Sequence, residues 1–291
     1  MRHPLHHSFR IPATFAALAE FLMDGLDPGD PNVWRYASWL DRGGDLFCGD
    51  IDSGLLGEPV PGDDPAALCR ELGYSSPPLE ILPFCWNGGD GLHYGWAVLA
   101  PELDAADHPC VSYAPGEDSA RWLGDSTKEA LENLLVGAIA NWAERGPGQG
   151  LPSPAEDERW AAVCGALDLR PDVGSPAIGP GARSRLRIRP EVPAGWRYEP
   201  TGDGIGVLAE AAAFAPETVQ VDDSGDDEEY LPVARRYLAR GFPASALCVL
   251  KSLSGHGHEV VELMCEAYQQ LGRGLLVERA ELWLRLNPSD R

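Results

Sequence analysis

Few residues in this chain have the types and spacing that chemistry requires. His3, His6 and His7 cluster near the start, and His256 and His258 flank Gly257. Two imidazoles can hold a transition metal, but a specific zinc site needs four ligands, or three and a water. Cys265 lies two helical turns beyond His258 on a different face, so no metal site is expected. Gly202-Asp203-Gly204-Ile205-Gly206 invites comparison with a phosphate-binding turn. It lacks the G-x-G-x-x-G spacing and a preceding buried strand, and Asp203 would repel phosphate, so it reads as a plain turn. There is no G-x-S-x-G elbow, H-E-x-x-H or P-loop, and no Ser or Cys has a recognisable activating partner. The expectation is a protein that is not an enzyme, with no catalytic residues, no cofactor and no metal.

Charge points elsewhere. The chain has 291 residues, 23 Lys and Arg against 45 Asp and Glu, and a formal net charge of -22. Such a surface repels nucleic acid and anionic membrane and steers basic partners inward, although acidity also serves solubility alone. Carboxylates are so abundant that no single pair of them is diagnostic. The alternating Arg185-Leu186-Arg187-Ile188-Arg189 reads as a short strand whose arginines meet the chain's own carboxylates. The block from Asp222 to Glu229 holds six acids in eight places and reads as a solvated hinge.

No run of about 18 apolar residues is available for a membrane helix. The first residues lack an apolar signal core. The seven Cys are odd in number and contain no C-x-x-C pair, which suits free thiols in a reducing compartment. A cytoplasmic location is expected.

The elements that must carry these residues follow from periodicity. Phe15, Leu18, Ala19 and Leu22 predict a helix over 12–24. Asn32 caps a second predicted helix with Val33, Trp34, Ala37 and Leu40, and Asp64-Pro65 opens a third with Leu68 and Leu72. From Pro77 to Tyr113 the apolar runs are short and broken by Gly and Pro, as in strands and hairpins. Ser126-x-x-Glu129 has the form of a capping box before a helix that buries Leu131, Leu134, Leu135, Ala138, Ile139 and Trp142. After the breaker 146–150, a helix running to about Leu169 faces Trp160, Val163, Cys164 and Leu167 inward. Residues 171–182 look extended, and Ala209 to Phe214 reads as helical. Beyond the acidic block, four helices are marked by Tyr237 and Leu238, by Ala246 to Leu253, by Val260 to Leu271, and by Leu276 to Leu284. The fold class expected is α+β.

The stretch from Asn87 to Trp142 carries a resemblance. It joins a glycine cluster (87–91), the run Leu92 to Leu99, an acidic loop, the run Pro109 to Tyr113, and Trp122 to Thr127 before an amphipathic helix. This layout resembles the SUKH superfamily, most clearly over 83–142. The resemblance implies a bent, mostly antiparallel sheet with flanking helices and, in many members, bacterial immunity proteins that neutralise toxins by binding. Tyr237, Gly241, Ala246 and Leu250, with Tyr268, Gly272 and Leu286-Asn287-Pro288, resemble two degenerate tetratricopeptide units. Two such units fall short of the usual stable minimum and should lean on the preceding domain or a partner. The expected organisation is a SUKH-like domain over 1–145, a Gly/Pro-rich connection packed on it over 146–220, and a helical domain over 221–291.

Two functions fit. In one, an immunity protein occludes a basic toxin domain. In the other, the helical tail is an adaptor that captures a peptide in an exposed groove. For the first, the candidate contacts are Asp90, His93, Asp104, Glu117 and Asp118 in or beside the sheet's loops, with Tyr94, Trp96 and Trp122 as aromatic anchors. Those aromatics equally fit a core, and those acids equally fit turns. Neither the toxin's identity nor an oligomeric state follows from the sequence.

Overall fold

The computed structural model describes residues 8–27, 50–51, 55, 78–86, 92–114, 119–145, 158–172, 188, 190–217, 219, 221, 227–253 and 257–288. The predicted helices at Asn32 and Asp64, the His3/His6/His7 cluster, His256 and the breaker 146–150 lie outside these residues. So do most of the extended connection and, apart from Ile188, the basic strand.

The described residues form an α+β structure. Helix α1 (Ala13–Met23) precedes a five-stranded antiparallel sheet. Its strands are β1 (Asp50–Ile51), β2 (Ile81–Trp86), β3 (His93–Ala97), β4 (Cys110–Tyr113) and β5 (Arg121–Gly124), neighbours in chain order. Pro83 has no N–H for a ladder bond, and the β2–β3 register shifts between Pro83 and Cys85; a second shift falls at Cys110/Val111. Each bulge bends its strand, which curves the sheet. Helices α2 (Thr127–Arg145) and α3 (Glu158–Leu167) follow. Side chains of α2 are described as far as Ala138.

Strand alternation divides the sheet into two faces. Leu82, Phe84, Trp96, Cys110 and Leu123 pack against Phe15, Leu18 and Leu22 of α1, Leu131 and Leu135 of α2, and Val163 of α3. Ile81, Ala97 and Val111 turn the other way, onto Ile188, Ile205 and Leu208. The second face is therefore covered by the connection, whose hairpin pairs β6 (Trp196–Glu199) with β7 (Val207–Glu210). The predicted helix over 209–214 is thus a strand end followed by a single 3₁₀ turn, Ala211–Ala213. Pairing with β6 overrides the helical preference of its alanines.

Four helices complete the chain: α4 (Asp227–Ala239), α5 (Pro243–Leu250), α6 (His258–Gln270) and α7 (Gly274–Leu286). The acidic block, read as a solvated hinge, runs into α4. Its last residues, 227–229, lie in the first turn of α4. Residues 222–226 are outside the described set. The four helices share a core with Leu79, Val207, Ala209 and Phe214. Strand β7 is the hinge of this packing: Leu208 faces the sheet while Val207 and Ala209 face the helices. All eight residues of α5 are buried.

Candidate functional site: a cleft between the sheet and the helical tail

The connection between β3 and β4 is fastened at both ends. At one end the Asp107 carboxylate accepts hydrogen bonds from the Thr127 N–H at 3.1 Å, the Thr127 hydroxyl at 2.5 Å and the His108 N–H at 2.8 Å. These satisfy donors at the start of α2 from a loop 20 residues away. The Trp96 indole donates to the same Thr127 hydroxyl at 3.0 Å, tying the sheet's centre to the helix start. The capping box forms too: the Ser126 hydroxyl accepts from the Glu129 N–H at 3.2 Å, and the Glu129 carboxylate reaches back to the Asp125 N–H at 2.8 Å. At the other end, Glu102 accepts from Arg273, at the start of α7, at 2.9 and 3.0 Å.

Between these fasteners the chain turns through Leu103 and Asp104. Asp104 has φ 46°, a left-handed conformation that Asp tolerates better than most residues. Its carboxylate is 76% exposed and stands 3.4 Å from the Arg10 guanidinium, itself 55% exposed. Leu103, beside it, is an exposed large apolar residue. This tip overhangs a cleft of about 230 Å³ whose walls include Phe9, Val98, His108, Leu275 and Glu278. Burial pulls the His108 imidazole down to about 4, with Asp107 opposing weakly, so at neutral pH His108 is uncharged. Its ring lies 5.3 Å from that of Phe9.

The tail is locked to the sheet by charges that the sequence reading did not single out. Lys251, fully buried, sits between Glu80 at the start of β2 and Asp203, 3.2 Å away, in the glycine-rich turn. The Tyr268 hydroxyl donates to Glu80 at 2.8 Å. Burial raises the Glu80 carboxyl, but the Lys251 ammonium and the hydrogen bonds from Lys251 and Tyr268 bring it below its ordinary value. Burial likewise lowers Lys251, and Asp203 and Glu80 together reverse this, leaving it raised. Arg279, also buried, donates to the carbonyls of Leu79 at 2.7 Å and Ile81 at 2.6 Å. Arg273 donates to the Leu208 carbonyl as well as to Glu102.

The glycine-rich turn is therefore more than a plain turn. Gly204 has φ +78° and packs so close to the Ala120 carbonyl that a methyl group would drive into it. Asp203 accepts from Thr201 at 2.5 Å and from the Ile205 N–H at 3.0 Å, which fixes its carboxylate toward Lys251. A signal for the lock exists in the sequence. Lys251 closes the apolar run Pro243 to Leu250, and Arg279 sits on the stripe of Leu276, Ala280 and Trp283. Cations on an apolar face require buried partners.

The predicted contact residues part company. Trp96 is wholly buried, and Tyr94, His93 and Trp122 are buried as well. Trp96 and Tyr94 belong to the main core, and the Trp122 indole donates to Asp125 at 2.6 Å. These four do not stand at the surface as anchors. Asp90, Glu117 and Asp118 lie outside the described residues.

Catalytic geometry is not apparent among the described residues. The lock is sealed from solvent, and burial pushes the Cys110 thiol well above its ordinary value. Among the described residues no three His, Cys, Asp or Glu side chains group to hold a metal, and no helix is long and apolar enough to cross a membrane. No protein-family model, curated protein or solved structure matches this chain.

Proposed function

We propose that the protein works by binding another protein, and that it is a bacterial immunity protein which occludes a basic toxin domain. The observation that carries this reading is the inward turn of Lys251, Arg273 and Arg279, which seals the helical tail onto the sheet. The sealed tail packs the helices against the sheet and hairpin, an arrangement suited to presenting a surface. The four helices bury apolar surface against Leu79, Val207, Ala209 and Phe214, which fills room that an exposed groove would offer a peptide. That filling weighs against the peptide-adaptor reading.

Further support comes from the antiparallel sheet, bent by two bulges and flanked by helices, which is the arrangement the SUKH resemblance implies. The acidic surplus of the chain favours fast association with a basic surface. Free thiols at Cys85, Cys110, Cys164, Cys248 and Cys265 suit the cytoplasm. A tight complex should bury on the order of 1,600 Å² in total. The reading expects a toxin domain encoded in a neighbouring gene, and the test is co-expression with that domain. Growth should be rescued; continued toxicity with soluble, folded protein present would reject the reading.

A further inference from the structure

The buried lock brings together an amine, a carboxyl group and a proton acceptor, the set that amide formation requires. Lys251 Nζ is 3.2 Å from Asp203 Oδ2, one bond from the carbon that a neutral amine would attack. The same nitrogen hydrogen-bonds Glu80 Oε1, and Glu80 Oε2 is buried with no hydrogen-bond partner. Asp203 Oδ1, the oxygen that an amide would keep, accepts from the Ile205 N–H at 3.0 Å and from the Thr201 hydroxyl at 2.5 Å. The Gly206 N–H donates to that hydroxyl at 2.8 Å, which leaves its proton for Asp203. The backbones are aligned as well. The Asp203 N–H donates to the Lys251 carbonyl at 3.1 Å, and the Gly202 N–H donates to the Ser252 hydroxyl at 3.1 Å. Glu80, Asp203, Lys251 and Tyr268 are all buried, so bulk water does not reach the group.

We propose that Lys251 and Asp203 join in an intramolecular isopeptide bond, with Glu80 as the proton relay. This goes beyond the protein-binding reading and does not depend on it. Lys251 Nζ first passes one proton to Asp203 Oδ2, leaving a neutral amine beside a neutral carboxyl group. The nitrogen lone pair then forms the bond to Asp203 Cγ while Glu80 takes a second proton from the nitrogen. The displaced electron pair settles on Oδ1, where the Ile205 N–H and the Thr201 hydroxyl stabilise it. On collapse the Cγ–Oδ2 bond breaks, and Glu80 returns its proton to the departing hydroxyl, which leaves as water. Glu80 ends ionised, as it began, and the charges of Lys251 and Asp203 are gone. Loss of that buried ion pair favours the product, and the sealed site slows the return of water. The two carboxylates favour the Lys251 ammonium over the neutral amine, so the reactive form is scarce. Freshly folded chain therefore holds the ion pair, and the bond accumulates afterwards. It staples the glycine-rich turn between β6 and β7 to the end of α5, fastening the tail covalently to the hairpin.

Intact-mass spectrometry of the refolded full chain, sampled over days at neutral pH, is the test. A species lighter by about 18 Da, the mass of one water, should grow with first-order kinetics at a rate independent of protein concentration. Trypsin should then leave Lys251 uncut and release a branched peptide that joins 198–235 to 241–273. Lys251→Arg keeps the cation and should form no such peptide, and Glu80→Gln should slow its formation at least about tenfold. Constant mass in the folded, unsubstituted chain overturns the proposal. So does a loss of water confined to 198–235 with Lys251 still cleaved, which marks an imide at Asp203-Gly204 instead. An unchanged rate in folded Glu80→Gln overturns the relay.

Discussion

Replacing Lys251 with Met should destabilise the fold severely. The substitution keeps the length of the side chain and removes the one ammonium between two buried carboxylates, those of Glu80 and Asp203. Their side chains are 3% and 6% exposed, so water cannot take over the role of the lost charge. Stranding a buried charge in this way costs about 3–5 kcal/mol, against a typical total stability of about 5–15 kcal/mol. Glu80→Gln should cost less, about 1–3 kcal/mol, because Gln still accepts from Tyr268 and Lys251 keeps Asp203. The triple variant Lys251→Met/Glu80→Gln/Asp203→Asn should recover most of the loss, since a neutral cluster strands no charge. Urea unfolding followed by fluorescence and by far-ultraviolet dichroism measures all three. A cost below about 1 kcal/mol for Lys251→Met, or a triple variant no better than the single, would refute the reasoning.

The lock also sets a pH window. Glu80 titrates below its unfolded value of 4.5, so its contribution is present above pH 4.5 and lost as pH falls through the folded value. Lys251 titrates above 10.5, so its contribution is complete below pH 10.5 and lost as pH rises through the folded value.

Other outcomes are expected from single sites. His108, moved by burial from 6.5 to about 4, should cost the fold roughly 3 kcal/mol as pH falls from 6.5 to 4, because the unfolded chain takes up the proton first. His108→Phe should flatten the stability profile over that window in acid unfolding titrations. Asp107→Ala should destabilise by about 1–2 kcal/mol, with faster hydrogen exchange at the start of α2, because three donors lose their acceptor together. Gly241 and Gly204 both have positive φ, but only Gly204 packs against a carbonyl. Gly241→Ala should therefore cost about 1 kcal/mol and Gly204→Ala clearly more, as thermal unfolding would show.

Local pattern made much of the fold legible. The stripes of α1 and α2 predicted those helices, and the Ser126/Glu129 pair predicted the start of α2 to within a residue. The four terminal helices emerged from apolar spacing and from the glycines after α4 and α6. What stayed hidden depends on residues far apart in the chain. Ala209 reads as helix because nothing nearby announces that Arg197 will pair with it. Glu80 and Lys251, 171 residues apart, carry no shared local signal. The candidate site was legible only at Asp104. Its setting depends on Phe9, Arg273 and Leu275, which the fold alone brings to the same place. Trp96 was ambiguous for a different reason: alternation within a strand does not say which face is covered when both faces are.

The most direct test is calorimetric titration of the full chain with the toxin domain that the proposed function expects from a neighbouring gene, at low and at high salt. A one-to-one complex that weakens as salt rises and loses affinity on Asp104→Lys is the expected result. A partner that gives no heat, or binds with no dependence on either salt or Asp104, would contradict it.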